Sequence, residues 1–318
     1  MGVMGILSES FRVPFRLGRL GILLAFSLIL PSSILFIANV FALRPFYLDI
    51  HLKSNEQNIT EKGTPRYDEL FSGMEKDVRV IMGEEAAFFL AGSILQLLAT
   101  VAAIYASGLA HWGQKVSPRD LFVRVGSIWR RPLITWLCIG VFKLGYLFLL
   151  VLFVGLLVLI TQLGTTLFST LAILVTLSGL LYYLYLGMVW ELGLVISVME
   201  EGSQGFSALG KAGELIKGRR LQGLLLYLLF TITEIALFWF FWSHRWFPKF
   251  ARTGVVPLAI AVTLTCLSCL IALFSTVVYT VFYCVCKESR GEEIEAQETS
   301  GYSLIPNTIH VDAMNMAT

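Results

Sequence analysis

Long apolar segments alternate with shorter polar ones along most of the chain. Six apolar segments exceed the ~18 residues that separate a membrane-spanning helix from a buried helix of a soluble protein. The pattern predicts an all-α, polytopic membrane bundle with spans at about 20–43, 86–110, 132–160, 167–199, 221–242 and 255–283. This membrane domain, residues 20–286, follows an amphipathic segment, residues 1–19, and precedes a polar tail, residues 287–318, whose composition predicts disorder.

Composition agrees with a membrane protein. The chain is 56% apolar and 14% charged, whereas soluble domains average roughly 45–50% and about 25%. A net charge of +2 is too small to indicate nucleic-acid binding. The first apolar segment is longer than the ~7–15-residue core of a cleaved signal peptide, so we expect it to be retained as a span.

The distribution of basic residues predicts the orientation. Fourteen Lys and Arg residues lie in the termini and in the two loops on their side, against nine in the other loops, so both termini are expected in the cytoplasm. Residues 44–85 then form a polar, acidic loop on the outside, where Asn58 begins a candidate N-glycosylation sequon. The membrane is expected to be the endoplasmic reticulum or the plasma membrane, and the sequence does not choose between them.

An internal repeat is suggested by three segments, ESFRVPFRLGRL, PRDLFVRVGSIWRRP and GFSALGKAGELIKGRRL, which precede spans one, three and five. Each joins an amphipathic stretch to basic residues and then to an apolar run. The repeat predicts three helical hairpins, each preceded by a cytoplasmic amphipathic helix. The alternative is that any inside loop of a membrane protein is basic and somewhat amphipathic.

Three stretches carry a family resemblance: LILPSSILFIANV at 28–40, GTPRY at 63–67 and MVWELGLVISVMEEGSQGFSALGKAGELIKGRR at 188–220. They resemble an uncharacterised family of plant multi-pass membrane proteins, which is distantly similar to the membrane domain of some bacterial glycerophosphodiester phosphodiesterases. The resemblance is specific over 188–220. It implies no activity, because the catalytic barrel of those bacterial enzymes has no counterpart here.

Three ionisable residues, Lys143, Glu191 and Glu234, fall inside predicted spans and form a candidate intramembrane cluster. A charge at this depth costs at least ~2.5 kcal/mol, so each needs a partner or a water-filled cavity. At about 1.5 Å per residue, Lys143 and Glu234 lie at similar depths and Glu191 lies nearer the cytoplasm. A pair that fixes helix register, a substrate or proton site, and no contact at all are the alternatives.

The cysteines suggest one modification. Cys266 and Cys269 have the spacing of a metal or redox pair, but they lie inside a span without a second ligand pair, which indicates buried thiols. Cys284 and Cys286 lie where the last span meets the cytoplasm and are candidates for palmitoylation. No catalytic, cofactor or metal-binding motif appears, so no cofactor is expected.

These observations favour a non-enzymatic integral membrane protein that acts as a scaffold, a membrane-shaping component or a trafficking component. Its expected partners are membrane lipids and proteins that meet the cytoplasmic amphipathic helices. The alternative is a small-solute or lipid transporter that uses Lys143, Glu191 and Glu234.

Overall fold

The architecture is that of a helical bundle, seen in a computed structural model that describes residues 2–114, 117–161, 166–243 and 255–290. Within these ranges the chain forms nine α-helices: α1 Val3–Leu17, α2 Arg19–Ile59, α3 Pro65–His111, α4 Pro118–Ile128, α5 Arg130–Thr161, α6 Thr166–Met199, α7 Phe206–Leu215, α8 Arg220–Ser243 and α9 Val255–Glu288. Six of the described helices, α2, α3, α5, α6, α8 and α9, are long and apolar enough to cross a membrane. The predicted all-α, six-span fold is confirmed. The loop before α9 and the tail beyond residue 290 lie outside the described residues.

The six long helices form three consecutive hairpins, α2–α3, α5–α6 and α8–α9. Helix α9 packs against α2 and α3 as well as against α6 and α8, so the last hairpin joins the first to the second. The end of α3 is buried among these helices through a small-residue segment that includes Ala102, Ala103, Ala106 and Ala110. Small side chains let helix backbones approach closely, which is how helices associate in lipid.

The three short helices lie together at one end of the bundle and are called the collar here. Helix α1 packs on α3 and α9, α4 packs on α3 and α5, and α7 packs on α5 and α6. Each buries three residues at the same spacing of i, i+4 and i+7, which is one face of a helix: Ile6, Ser10 and Val13; Leu121, Val125 and Ile128; Ala208, Ala212 and Leu215. The predicted helix before each hairpin is therefore confirmed.

Residues 44–85, predicted to be a polar loop, are instead mostly helix. Helix α2 continues to Ile59 and α3 begins at Pro65, so these residues form an antiparallel extension, called the stalk here. The Thr64 hydroxyl accepts the backbone N–H of Tyr67 at 3.3 Å and caps α3. At about 1.5 Å per residue the stalk rises roughly 25–30 Å beyond the apolar spans. Polarity marks the end of the apolar segment, but it does not end a helix.

Ionic contacts join the two helices of the stalk. Lys53 on α2 lies 2.6 Å from Asp77 on α3 and 2.7 Å from Asp49 on its own helix. Asp77 is the more buried carboxylate, with 13% of its side chain exposed. A half-buried pair contributes more than an exposed one because water screens it less.

We predict that Lys53→Met loosens the stalk, because it leaves Asp49 and Asp77 without their shared cation. The expected result is faster amide hydrogen exchange in the stalk and faster proteolysis at the 60–64 turn. Arg79→Met is the matched control, because Arg79 pairs with Glu75 on the same helix and both side chains are exposed. Equal exchange rates in the two variants would show that the cross-helix pair does not stabilise the stalk.

Candidate functional site

The chain has two groups of polar side chains that tie several helices together, and the first lies where the collar meets the bundle. Glu200 directly follows α6. Its Oε1 accepts the Tyr283 hydroxyl at 2.9 Å and lies 3.4 Å from the Lys287 ammonium, both on α9. Its Oε2 lies 3.0 Å from the ammonium of Lys211 on α7. Glu200, Lys211, Tyr283 and Lys287 are called the junction here, and through it one carboxylate connects α6, α7 and α9.

The junction is partly withdrawn from water. Side-chain exposure is 21% for Glu200 and 15% for Lys287. Burial alone would raise the pKa of the Glu200 carboxyl, but the hydrogen bonds from Lys211 and Tyr283 and the charge of Lys287 outweigh it, so the pKa lies below its usual value of 4.5. Glu200 is therefore ionised at neutral pH, and both lysines retain their counter-charge.

The pH dependence of the junction follows from this lowered pKa. The stabilising contribution of Glu200 is fully present above its unfolded pKa of 4.5 and disappears as the pH falls through the lower pKa of the folded state. We predict that Glu200→Gln flattens the thermal-stability profile on the acid side, measured as Tm against pH in detergent. A variant profile that stays parallel to that of the wild type as the pH falls below 4.5 would assign the acid response to other groups.

Further contacts surround the junction. Arg124 of α4 lies 3.3 Å from Glu201. The backbone N–H of Gly205, which precedes α7, donates to the Thr135 hydroxyl of α5 at 2.9 Å. Arg290 donates to the backbone carbonyl of Glu214 at the end of α7. Polar contacts therefore join α4 to the segment that follows α6, and join α7 and the residue before it to Arg290, beyond the end of α9, and to α5, in addition to the buried faces of both helices.

Sequence reasoning identified the 188–220 segment but did not identify Glu200 as its centre. Glu200 was one of two adjacent acidic residues in a polar loop. The only available signal was that it follows a span directly and precedes Lys211 by about three helical turns. The contact with Lys287, which is 87 residues away, requires the fold.

The second group lies among the spanning helices and contains the three predicted intramembrane residues, of which Lys143 and Glu191 are half-buried and Glu234 is exposed. The Lys143 ammonium stands over the Trp190 ring, 5.5 Å from its centroid. Glu191 lies within electrostatic range of both Lys143 and Glu234. Among the described residues, no carboxylate lies within 4.0 Å of the Lys143 ammonium. The fold thus brings the three residues into one neighbourhood, with Lys143 held by a cation–π contact and not by a close ion pair.

Two tyrosines that the sequence did not single out complete this neighbourhood. Tyr227 of α8 lies directly against the backbone of Gly187 on α6, where an added Cβ would collide with its phenol ring. Tyr279 of α9 is 1% exposed, and its hydroxyl has no hydrogen-bond partner in the described part of the chain. Both tyrosines lie within electrostatic range of Glu191. Tyrosines in an apolar run resemble core residues, so the sequence carried no signal for them.

The modification candidates occupy very different surroundings. Cys284 and Cys286 are buried, with exposures of 0% and 1%, so palmitoylation of the folded protein would require the end of α9 to open. Asn58 is exposed in the last turn of α2, near the tip of the stalk. All five cysteines are free thiols. Cys266 and Cys269 were predicted to be buried but are half-buried, and Cys266 lies 3.4 Å from the Ser33 hydroxyl. Within the described ranges, no three His, Cys, Asp or Glu side chains are placed to hold a metal.

Comparison with known proteins gives a family but no named relative. The model of a family described as a domain of unknown function (DUF8558) matches residues 1–302. The match covers nearly the whole chain, so the chain belongs to this family. No curated protein and no solved structure matches it.

Proposed function

We propose that this family member is a non-enzymatic, membrane-shaping scaffold whose collar faces the cytoplasm and inserts into the anionic leaflet there. One observation carries the proposal: three collar helices are fixed to the bundle by the same buried spacing, which turns their other faces outward. Each collar helix also carries an exposed phenylalanine, Phe15 at 84%, Phe122 at 53% and Phe206 at 69%, and the Phe206 ring contacts Phe142 of α5 at 5.3 Å.

Basic side chains accompany these phenylalanines. Arg12 and Arg16 lie on α1, Arg119 lies in the first turn of α4, and Lys217 and Arg220 follow α7. All five are exposed. Aromatic side chains among Lys and Arg are the composition of helices that lie in a membrane interface. Each basic residue near an anionic leaflet contributes about 1 kcal/mol of attraction. The excess of Lys and Arg on this side supports a cytoplasmic collar by the positive-inside rule.

Reconstitution tests the proposal. The wild type should reduce the diameter of vesicles that contain phosphatidylserine, seen by electron cryomicroscopy, and should have less effect on neutral vesicles. The triple variant Phe15→Ser, Phe122→Ser, Phe206→Ser should lose this effect. Phe71→Ser is the control, because Phe71 is also exposed, at 58%, but lies on the stalk. Unchanged diameters with the triple variant would contradict the scaffold function.

A second candidate function, a small-solute or lipid transporter, is supported by the intramembrane neighbourhood of Lys143, Glu191 and Glu234. Ionisable residues inside spans commonly mark substrate or ion pathways. Abolition of flux by Lys143→Met in a variant that still folds would support transport and contradict a purely structural role. If Lys143→Met misassembles and the double variant with Glu234→Leu recovers, Lys143 serves helix packing. The resemblance to bacterial phosphodiesterase membrane domains stays a prediction.

A further inference from the structure

The buried hydroxyl of Tyr279 is the strongest sign of a binding site in the bundle. Almost all buried polar atoms in native proteins have a hydrogen-bond partner, and each exception calls for a reason such as a bound ion or ligand. Tyr279 is 1% exposed and its hydroxyl has no partner within the described ranges. It lies within electrostatic range of Glu191 and Tyr227, so the unpaired oxygen shares its surroundings with a carboxylate.

The charges around Glu191 do not balance. The titratable groups that face this region from the neighbouring helices are Lys143 on α5, Tyr183 on α6, Tyr227 and Glu234 on α8, and Tyr279 and Cys269 on α9. Two of these helices supply a carboxylate, and Lys143 is the one cation in this group. Two carboxylates and one cation balance inside a membrane either when one carboxylate holds a proton or when a second cation binds.

The aromatic side chains indicate which kind of cation fits. The Trp190 ring already holds the Lys143 ammonium at 5.5 Å, so an ammonium group suits this environment. The Tyr227 ring packs against Gly187, and its hydroxyl is hydrogen-bonded to the Thr231 side chain. The phenol oxygen of Tyr279 has no such partner among the described residues and can accept an N–H donor. The described residues offer no set of three His, Cys, Asp or Glu ligands, which a divalent metal would need.

We propose that Glu191, Tyr227 and Tyr279 bind the ammonium group of a small organic amine inside the bundle. The carboxylate supplies the counter-charge, the Tyr279 oxygen accepts an N–H, and Tyr227 offers its ring face. Any physiological role rests on the transporter candidate. The binding measurement does not depend on flux. If the protein binds the amine but transports nothing, the transporter function is contradicted and the binding site is not.

The test uses the full chain in nanodiscs, with methylammonium chloride as the probe and sodium chloride at equal ionic strength as the control. Methylammonium should raise the Tm of the wild type more than sodium does, and Glu191→Gln should abolish the difference. Tyr279→Phe should weaken the apparent affinity about tenfold, since it removes one hydrogen bond to a charged group. Without the probe, Tyr279→Phe should not lower the Tm, because the lost hydroxyl had no partner.

Three results would overturn the proposal. Equal Tm shifts with the two salts would show only an ionic-strength effect. A wild-type Tm that changes with pH but not with methylammonium would show that the site takes a proton alone. Unchanged affinity in Tyr279→Phe would exclude its oxygen as an acceptor, and this variant decides the matter even if Glu191→Gln fails to fold.

Discussion

Replacement of Glu200 by Gln is expected to loosen the whole junction, since it removes the one carboxylate that faces both Lys211 and Lys287. Breaking a buried ion pair by removing one partner costs about 3–5 kcal/mol, and exposed pairs contribute about 0–1. The Glu200 side chain is 21% exposed, which lies between these two cases. We therefore expect a loss of about 2 kcal/mol in the free energy of unfolding. Thermal unfolding in detergent measures it.

Two observations make the Glu200 result specific. Glu201→Gln is the matched control, because this neighbouring carboxylate is 53% exposed and lies 3.3 Å from Arg124 of α4. Cys284 and Cys286 lie on the same end of α9 and are buried, so Glu200→Gln should speed their alkylation by a small maleimide. Equal stability and equal alkylation in Glu200→Gln and Glu201→Gln would show that the junction does not hold α9.

Replacement of Gly187 by Ala is expected to disrupt the packing of α6 against α8. The new Cβ would collide with the phenol ring of Tyr227, which packs directly against the backbone of α6 at Gly187. Overpacking of a tight contact costs about 1–3 kcal/mol, and we expect the upper half of this range. The free energy of unfolding in detergent is the measurement.

Gly140→Ala is the control for Gly187→Ala, because Gly140 also lies in a spanning helix but has nothing within 4 Å of an added Cβ. It should be neutral or stabilise by about 0.5–1 kcal/mol, since Ala favours a helix over Gly. Shortening the opposing side chain with Tyr227→Ala should recover part of the Gly187→Ala loss. Equal free energies of unfolding in Gly187→Ala and Gly140→Ala would show that the packing of Tyr227 does not require a glycine at position 187.

The six spans could be predicted from the sequence because apolar length alone determines which helices fit a bilayer. The collar helices could be predicted as well, since α1, α4 and α7 each repeat an apolar spacing before a basic residue. The stalk could not, because Lys53 and Asp77 appear as charges in a polar loop until the two helices are placed side by side. Their contact is a property of the hairpin and not of either segment.

The candidate site residues also fall into those that the sequence predicts and those that only the fold reveals. Lys143, Glu191 and Glu234 stand out in the sequence because a charge in an apolar run is unfavourable. Tyr279 does not stand out, since only the fold shows that its hydroxyl is buried without a partner. The gap at Gly187 is equally invisible, because glycines in spans are common and only the position of Tyr227 gives this one a role.

Labelling of single cysteines introduced in the collar and the stalk tests most directly that these two parts lie on opposite sides of the membrane. Lys217→Cys marks the collar and Lys62→Cys marks the stalk, each in a variant whose five native cysteines are replaced by serine or alanine. An impermeant maleimide should not label the Lys217→Cys variant in intact cells. It should label this variant once the plasma membrane has been selectively permeabilised. Cys at 62 should react either in intact cells or only after all membranes are dissolved. Labelling of position 217 in intact cells, or of both positions from the same side, would contradict a cytoplasmic collar opposed to an outer stalk.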